Sequence, residues 1–326
     1  MHRLPRRGLL GAALAVPALA APHLARGQAG FPSRPIRMIV PFAPGGSADV
    51  VARITAMGMQ EALGQPMVVE NRGGSGGVIG SEAALAAPAD GHTIVFHTLS
   101  SAVLNAGLYR NLTFDVRRAF APLALVGTLP NIIMVNPKVP AQTLAELVAL
   151  MKREPGRITY ASSGPGTITH LSAHLLATTV GAEAMHVPYR GSGPAFMDLL
   201  SGTVDMMVDT MASVIPAVQA GQVRALAVTT TTRSAALPEV PTAQEAGVPG
   251  YETYNWHGVF ANSATPAPIL ARLEQAAVAG IRNGRERLVT VGVEPRGDGA
   301  DAFGPFWDQQ LALWIPIIRS SGATVE

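Results

Sequence analysis

Hydrophobic positions along this chain fall into two kinds of run that alternate almost without a break. Short, nearly continuous apolar stretches lie at 36–40 (IRMIV), 67–70 (MVVE), 93–98 (TIVFHT), 157–162 (RITYAS), 184–189 (AMHVPY), 204–209 (VDMMVD) and 223–229 (VRALAVT). Bounded by glycine, proline or polar clusters, such runs predict buried strands. Longer stretches with helical spacing separate them. In 48–63 the apolar residues Val50, Val51, Ile54, Met57 and Leu63 precede Gly64, which stops the pattern. Further helices are predicted over 78–87, over 143–153, from the loop at 162–166 to about 179, and up to Gly221. The tail, 267–320, reads as helices with a short strand near 291–295. Strands joined by helical crossovers predict parallel pairing and an α/β fold. Met206, Met207 and Met211 read as core filling.

The order of parts occurs twice, on either side of the apolar stretch 121–137. In the first half a strand leads to Gly45-Gly46, a helix, a strand, Arg72 and the glycine cluster 73–77. In the second a strand leads to Gly164-Pro165-Gly166, a helix, a strand, Arg190 and Gly191-Ser192-Gly193. Arg72 lies 26 residues after Gly46, and Arg190 lies 24 after Gly166. A parallel sheet presents such loops at the carboxyl ends of its strands, where ligands bind. Helix N-termini there carry unpaired N–H groups and partial positive charge, so they attract anions. Glycine lets the backbone approach closely. Two such loops are able to grip one small anion from both sides.

Rival chemistries fit less well. A dinucleotide fingerprint needs Gly-x-Gly-x-x-Gly, whereas 44–49 reads Pro-Gly-Gly-Ser-Ala-Asp and 74–80 has its last glycine one residue late. Glu70 alone stands where a ribose-binding acid would, which leaves a dehydrogenase as the enzymatic alternative. Ser162, Ser163 and His170 lie together without a Gly-x-Ser-x-Gly elbow or an acid to orient the histidine, so a hydrolase is the weaker form of that alternative. His170 and His174, four apart on one helix face, have zinc-chelating spacing but no further ligands. Asp49 poses a tension beside an anion site: it either bonds its own loop's N–H groups in the first helical turn or meets a cationic group on the ligand.

Charge and composition change the picture only after the N-terminus is set aside. Arg3, Arg6 and Arg7 precede an apolar run of about 14 residues, 8–21, and small residues follow it. That pattern predicts a secretory signal over 1–29; the run is short of the ~20 residues a spanning helix needs. Residues 1–29 hold four arginines and no acid, so 24 basic side chains fall to 20 against 22 acidic ones, a formal charge of −2. The pI near 9.2 is therefore largely a property of the predicted signal, and no basic patch remains to suggest nucleic acid. Cysteine is absent, which excludes disulfides and thiol chemistry and suits an oxidising compartment.

Read in order, FPSRPIRMIVPFAPGGSADVVARI, LGQPMVVENRGGSGGVIG, ADGHTIVF, ITYASSGPGTITHLSAHLL, HVPYRGSGPAFMDLLSGTVDMMVD, AGQVRALAVTT and LPEVPTAQEAGVPGYE resemble the solute-binding proteins of tripartite tricarboxylate transporters, the Bug-type receptors. The resemblance runs from about Phe31 to the C-terminus. It implies a two-lobed periplasmic binding protein of the type II fold, with a ligand cleft between two α/β domains joined by two crossing segments. These crossings should fall near 125–135 and 251–261, giving one domain from 30–125 plus 258–326 and a second from 126–257. Carried over by position, the ligand-binding residues are Phe42, Ala43, Pro44, Gly45, Gly46 and Asp49 in the first loop. In the second they are Ser162, Ser163, Gly164, Gly166 and Thr167, with His170 behind them. Tyr189, Arg190 and Asp209 sit at the tips of following strands, and Thr98 and Ser100 end a first-lobe strand. Ala43 stands where a proline is common, and Thr210 follows Asp209 where a small polar or amide residue often sits; both bear on ligand identity. The resemblance implies an exported, monomeric periplasmic receptor for a small carboxylate, with membrane permease subunits as partners. It implies no catalysis, cofactor, metal or nucleic acid. A sensor presenting its closed form to a signalling partner is a further reading.

Overall fold

The computed structural model of the chain describes His2 and residues 30–320, so the predicted signal, His2 apart, lies outside the described residues. Its ten strands are β1 (Ile36–Val40), β2 (Met67–Asn71), β3 (Thr93–Thr98), β4 (Phe120–Val135), β5 (Thr159–Ser162), β6 (Met185–Pro188), β7 (Met206–Thr210), β8 (Arg224–Val228), β9 (Tyr254–Asn262) and β10 (Glu294–Gly299). All belong to one compact unit, Pro32–Glu326. They form a sheet ordered β2-β1-β3-β9-β4-β7-β5-β6, with β8 and β10 pairing β4 off that path.

Within each half the strands joined by helices are parallel, as their spacing predicts: β1 pairs β2 and β3, and β5 pairs β6 and β7. The two crossing strands run antiparallel to their neighbours. β4 is 16 residues long and changes partners midway. Phe120–Pro130 pair with β9, and Asn131–Val135 pair with β7 and β8. Pro130 has no N–H to give to a ladder, which suits the point of exchange. Read outward from the crossing, the halves are β9-β3-β1-β2 and β4-β7-β5-β6, the same third–first–second arrangement of strands.

Core chemistry differs between the halves. The first packs aromatic side chains, Phe120, Trp256, Phe260, Phe303 and Trp307, all essentially buried. The second is aliphatic and methionine-rich, and Met206, Met207 and Met211 are fully buried there, as expected of core filling. Helix Ser47–Leu63 packs on helix Ala267–Asn283, where a Cβ on Gly58 would lie 2.4 Å from the Gly280 carbonyl oxygen. The C-terminal strand forms three residues later than its sequence predicts, as Glu294–Gly299 against β4. Its sequence, EPRGDG, has no strand propensity, and the pairing comes from tertiary packing.

Candidate ligand-binding site

Three helices begin at the carboxyl ends of β1, β5 and β6: Ser47–Leu63, Ile168–Thr179 and Ser192–Ser201. Their N-cap residues are Gly46, Thr167 and Gly191, and none caps its helix with a side-chain hydrogen bond. Apart from the Ile168 N–H, which Ser100 Oγ accepts, the first-turn N–H groups therefore retain the capacity to meet an anion. A cavity lies where the three ends meet. Phe42, Gly46, Ser47 and Ala48 wall it from the first loop; Thr98 and Ser100 from the end of β3; Ser163, Ile168 and Thr169 from the second loop. Ser192, Thr210, Asn255 and His257 complete it. Its volume is about 20 Å³, little more than one water occupies.

That small volume reflects the two halves closing directly on each other. The Ala43 N–H donates to the Arg190 carbonyl across the cleft (3.3 Å), and the Ile168 N–H donates to Ser100 Oγ (3.0 Å). A Cβ on Gly46 would lie 3.1 Å from Ser192 Cβ, one on Gly193 would meet the Pro44 carbonyl oxygen at 2.1 Å, and one on Gly191 would meet the Ala43 nitrogen at 2.8 Å. Of the opening pair, Gly45 needs glycine's left-handed backbone (φ 81°), whereas Gly46 is extended (φ −85°) and needs only the space. In this arrangement the glycines let loop meet loop.

The remaining expected site residues support the wall or lie beside it. Asp49 settles on the first of its two alternatives: Oδ2 accepts the Gly45 N–H (3.0 Å), and Oδ1 pairs with Arg53 (2.9 Å). In the second loop the Gly166 N–H donates to His170 Nδ1 (3.0 Å). Thr167 Oγ1 donates to the Gly164 carbonyl (2.7 Å), and Thr169 Oγ1 accepts the Ser163 N–H (2.9 Å). Ser162 is fully buried and bonded to His186 Nε2 (2.6 Å), away from the cavity wall. His186 stacks on His170 with ring centroids 4.0 Å apart. Burial, with His186 and His174 nearby, pushes His170 down to about 4. Tyr189 donates its hydroxyl to Asp198 (2.5 Å), and the Arg190 side chain is exposed. Asp209 lies behind the wall, accepting from Ser192 Oγ (2.7 Å); burial raises its carboxyl to about 6. Among the described residues no group of three His, Asp or Glu side chains is placed to hold a metal ion.

Of the residues sequence reasoning assigns to the ligand, Phe42, Gly46, Thr98, Ser100 and Ser163 line the wall, as does Thr210, which it singled out for ligand identity; it missed Ser47, Ala48, Ile168, Thr169, Ser192, Asn255 and His257. Asn255 and His257 did leave a signal, as polar residues two apart in an otherwise apolar crossing segment. The wall carries no Lys, Arg, Asp or Glu, and burial holds His257 neutral by pushing it down to about 3. An anion there would be held by backbone N–H groups and neutral donors.

Residues 51–323 match the family described as the tripartite tricarboxylate transporter family receptor. The chain belongs to that family. Its receptors are periplasmic solute-binding proteins, and the mixed α/β fold agrees with solved structures. The periplasmic binding protein BugD is 34% identical with a TM-score of 0.86, covering 91% of this chain and 100% of that one. Rpa4515 of R. palustris, solved with adipate, is 34% identical with a TM-score of 0.85, covering 90% and 98%. MatC (Rpa3494) of Rhodopseudomonas palustris, with bound malate, is 31% identical with a TM-score of 0.82, covering 88% and 100%. Among the described residues no helix is long and apolar enough to cross a membrane.

Proposed function

We propose that this receptor is exported by its N-terminal signal, captures a small dicarboxylate-like acid as a monomer, and delivers it to the membrane permease of a tripartite tricarboxylate transporter. One observation carries the reading: three helix N-termini without side-chain caps converge on a cavity whose wall has no charged side chain. Backbone dipoles and hydroxyls suit a carboxylate, and the similar chains solved with adipate and malate hold acids of that class. A cavity of about 20 Å³ is too small for either acid, so entry requires the halves to part. The moving bodies are 30–125 with 258–326 and 126–257, turning about the crossing strands where β4 changes partners. No chemistry belongs to this reading; Ser162 at the end of β5 pairs with the half-buried His186 on β6, and neither residue lines the cavity.

A thermal-shift screen of small mono-, di- and tricarboxylates beside NAD and ATP tests the proposal. A carboxylate at 100 times its Kd should stabilise the protein by roughly 2.7 kcal/mol. Stabilisation by the nucleotides alone would overturn it in favour of an enzyme.

A further inference from the structure

The cavity wall holds three side chains with hydrogen-bonding atoms that the protein itself leaves without partners, His257 and Thr98 side by side and Ser47 at the start of the first helix. His257 is completely buried, and neither ring nitrogen has a hydrogen-bond partner; nor has Thr98 Oγ1. The two residues are cross-strand partners on β9 and β3, which sets their side chains next to each other on one face. Asn255, two residues before His257 on the same face, has in contrast partners at both its amide atoms. It accepts from the Trp256 N–H (2.9 Å) and the Leu99 N–H (3.3 Å), and donates to Thr210 Oγ1 (3.1 Å). A second buried histidine nearby, His97, has a partner at one ring nitrogen, Nδ1 to Ser101 Oγ at 2.9 Å, and none at Nε2. His257 has only the edge-on ring of Phe96, centroids 5.3 Å apart. Leaving such groups unpaired in an apolar setting is costly, so a side chain that does so at a cavity wall is placed for a ligand.

A neutral imidazole offers one N–H donor and one acceptor nitrogen, and a threonine hydroxyl likewise both gives and takes. A carboxylate only accepts, and the helix N-termini already suit it. A hydroxyl is the smallest substituent on an acid that answers donor and acceptor together. We infer that His257, with Thr98 beside it, reads a hydroxyl on the bound acid and makes the site selective for small hydroxy acids over their unsubstituted counterparts. The inference rests on the carboxylate-receptor reading. It adds a residue that discriminates between acids of equal charge and length.

Calorimetry with two matched pairs, malate with succinate and 3-hydroxyglutarate with glutarate, tests it on the full mature chain. In whichever pair binds, the wild type should prefer the hydroxy acid by about tenfold or more. His257→Phe keeps the ring and removes both nitrogens, so the preference should shrink to within about threefold. His257→Gln, which restores a donor and an acceptor, should recover it. Circular dichroism checks that each variant folds; should His257→Phe fail, Thr98→Val carries the same expectation. Equal affinity of the wild type for both members of a pair would overturn the inference, as would an undiminished preference in the folded His257→Phe or Thr98→Val. Absence of binding by all four acids would overturn the inference for small dicarboxylates, while the screen of mono- and tricarboxylates decides the carboxylate reading separately.

Discussion

The first and second glycine loops perform the same local task with opposite chemistry. In each, a loop glycine donates its N–H to the side chain four residues later, at the start of the following helix: Gly45 to Asp49, and Gly166 to His170, both at 3.0 Å. The bond ties each loop to its helix and fixes where the remaining N–H groups point. Asp49 is an acid in the first turn of its helix, where the dipole favours it, and the half-exposed Arg53 offsets its charge. His170 is half-buried in a stack with His186 and Tyr160, and its lock works only while Nδ1 is unprotonated. A carboxylate beside an anion site is thus compatible with anion binding when its charge is already answered. An imidazole at the matching place makes the second loop the acid-sensitive one.

The largest expected effect breaks the contact between the two loops. Gly46→Val and Gly193→Ala both place atoms against the opposite loop, so calorimetry should show at least about a hundredfold loss of affinity, equal to roughly 2.7 kcal/mol. Neither site has a positive φ, and parting the halves relieves the clash. Melting temperatures should therefore stay close to wild type. Loss of folding in both variants would mean that closure is part of the core and not a separate step.

Acid should separate the loops next. His170 titrates at about 4 in the fold and near 6.5 in an unfolded chain. Between those values only the unfolded chain holds the proton, so stability falls as pH is lowered from about 6.5 to about 4. His97 and His257, both buried and pushed to about 3, act in the same direction. Asp209 opposes them: raised to about 6, it takes up a proton in the fold before the unfolded chain does, which favours the native state as pH drops towards 3.8. Melting curves should show a net loss from pH 7 to 4, shallower in His170→Phe and steeper in Asp209→Asn. A flat profile would contradict the burial assigned to these histidines.

Asp49→Ala removes the first lock and should cost about 1.5–3 kcal/mol in stability, the worth of a hydrogen bond to a charged group. Denaturant titration would read it. The smallest effect is expected at Arg190, whose side chain is exposed while its carbonyl makes the cross-cleft contact. Arg190→Ala should change affinity by no more than about twofold, within the range of surface substitutions. A tenfold loss would show that a side-chain cation takes part in holding the ligand.

What the sequence disclosed of this comparison follows its physical grammar. Strand and helix periods were local and plain, so β1, β2, β3, β5 and β7, and the paired glycine loops between them, were legible from spacing alone. β10 was displaced because its residues carry no strand pattern and are held by β4. The glycines suggest ligand approach; that they also bring loop against loop is a relation between residues about 150 apart that no local pattern encodes. His257 and Asn255 were overlooked for a similar reason, since a crossing strand reads as core until its partner strands show which face meets the cleft. His170 and Asp49 were singled out as residues, but their equivalence appears only when both hydrogen bonds are seen.

The central claim is that helix ends, and no side-chain cation, hold a carboxylate between the two loops. A crystal structure of the mature protein with the acid selected by screening tests it most directly. The account predicts carboxylate oxygens within about 3.2 Å of backbone N–H groups at Ser47 or Ala48 and at Thr169 or Ser192, with Arg190 still in solvent. A carboxylate paired with an arginine or lysine, or bound in a groove away from Gly46 and Ser192, would contradict it.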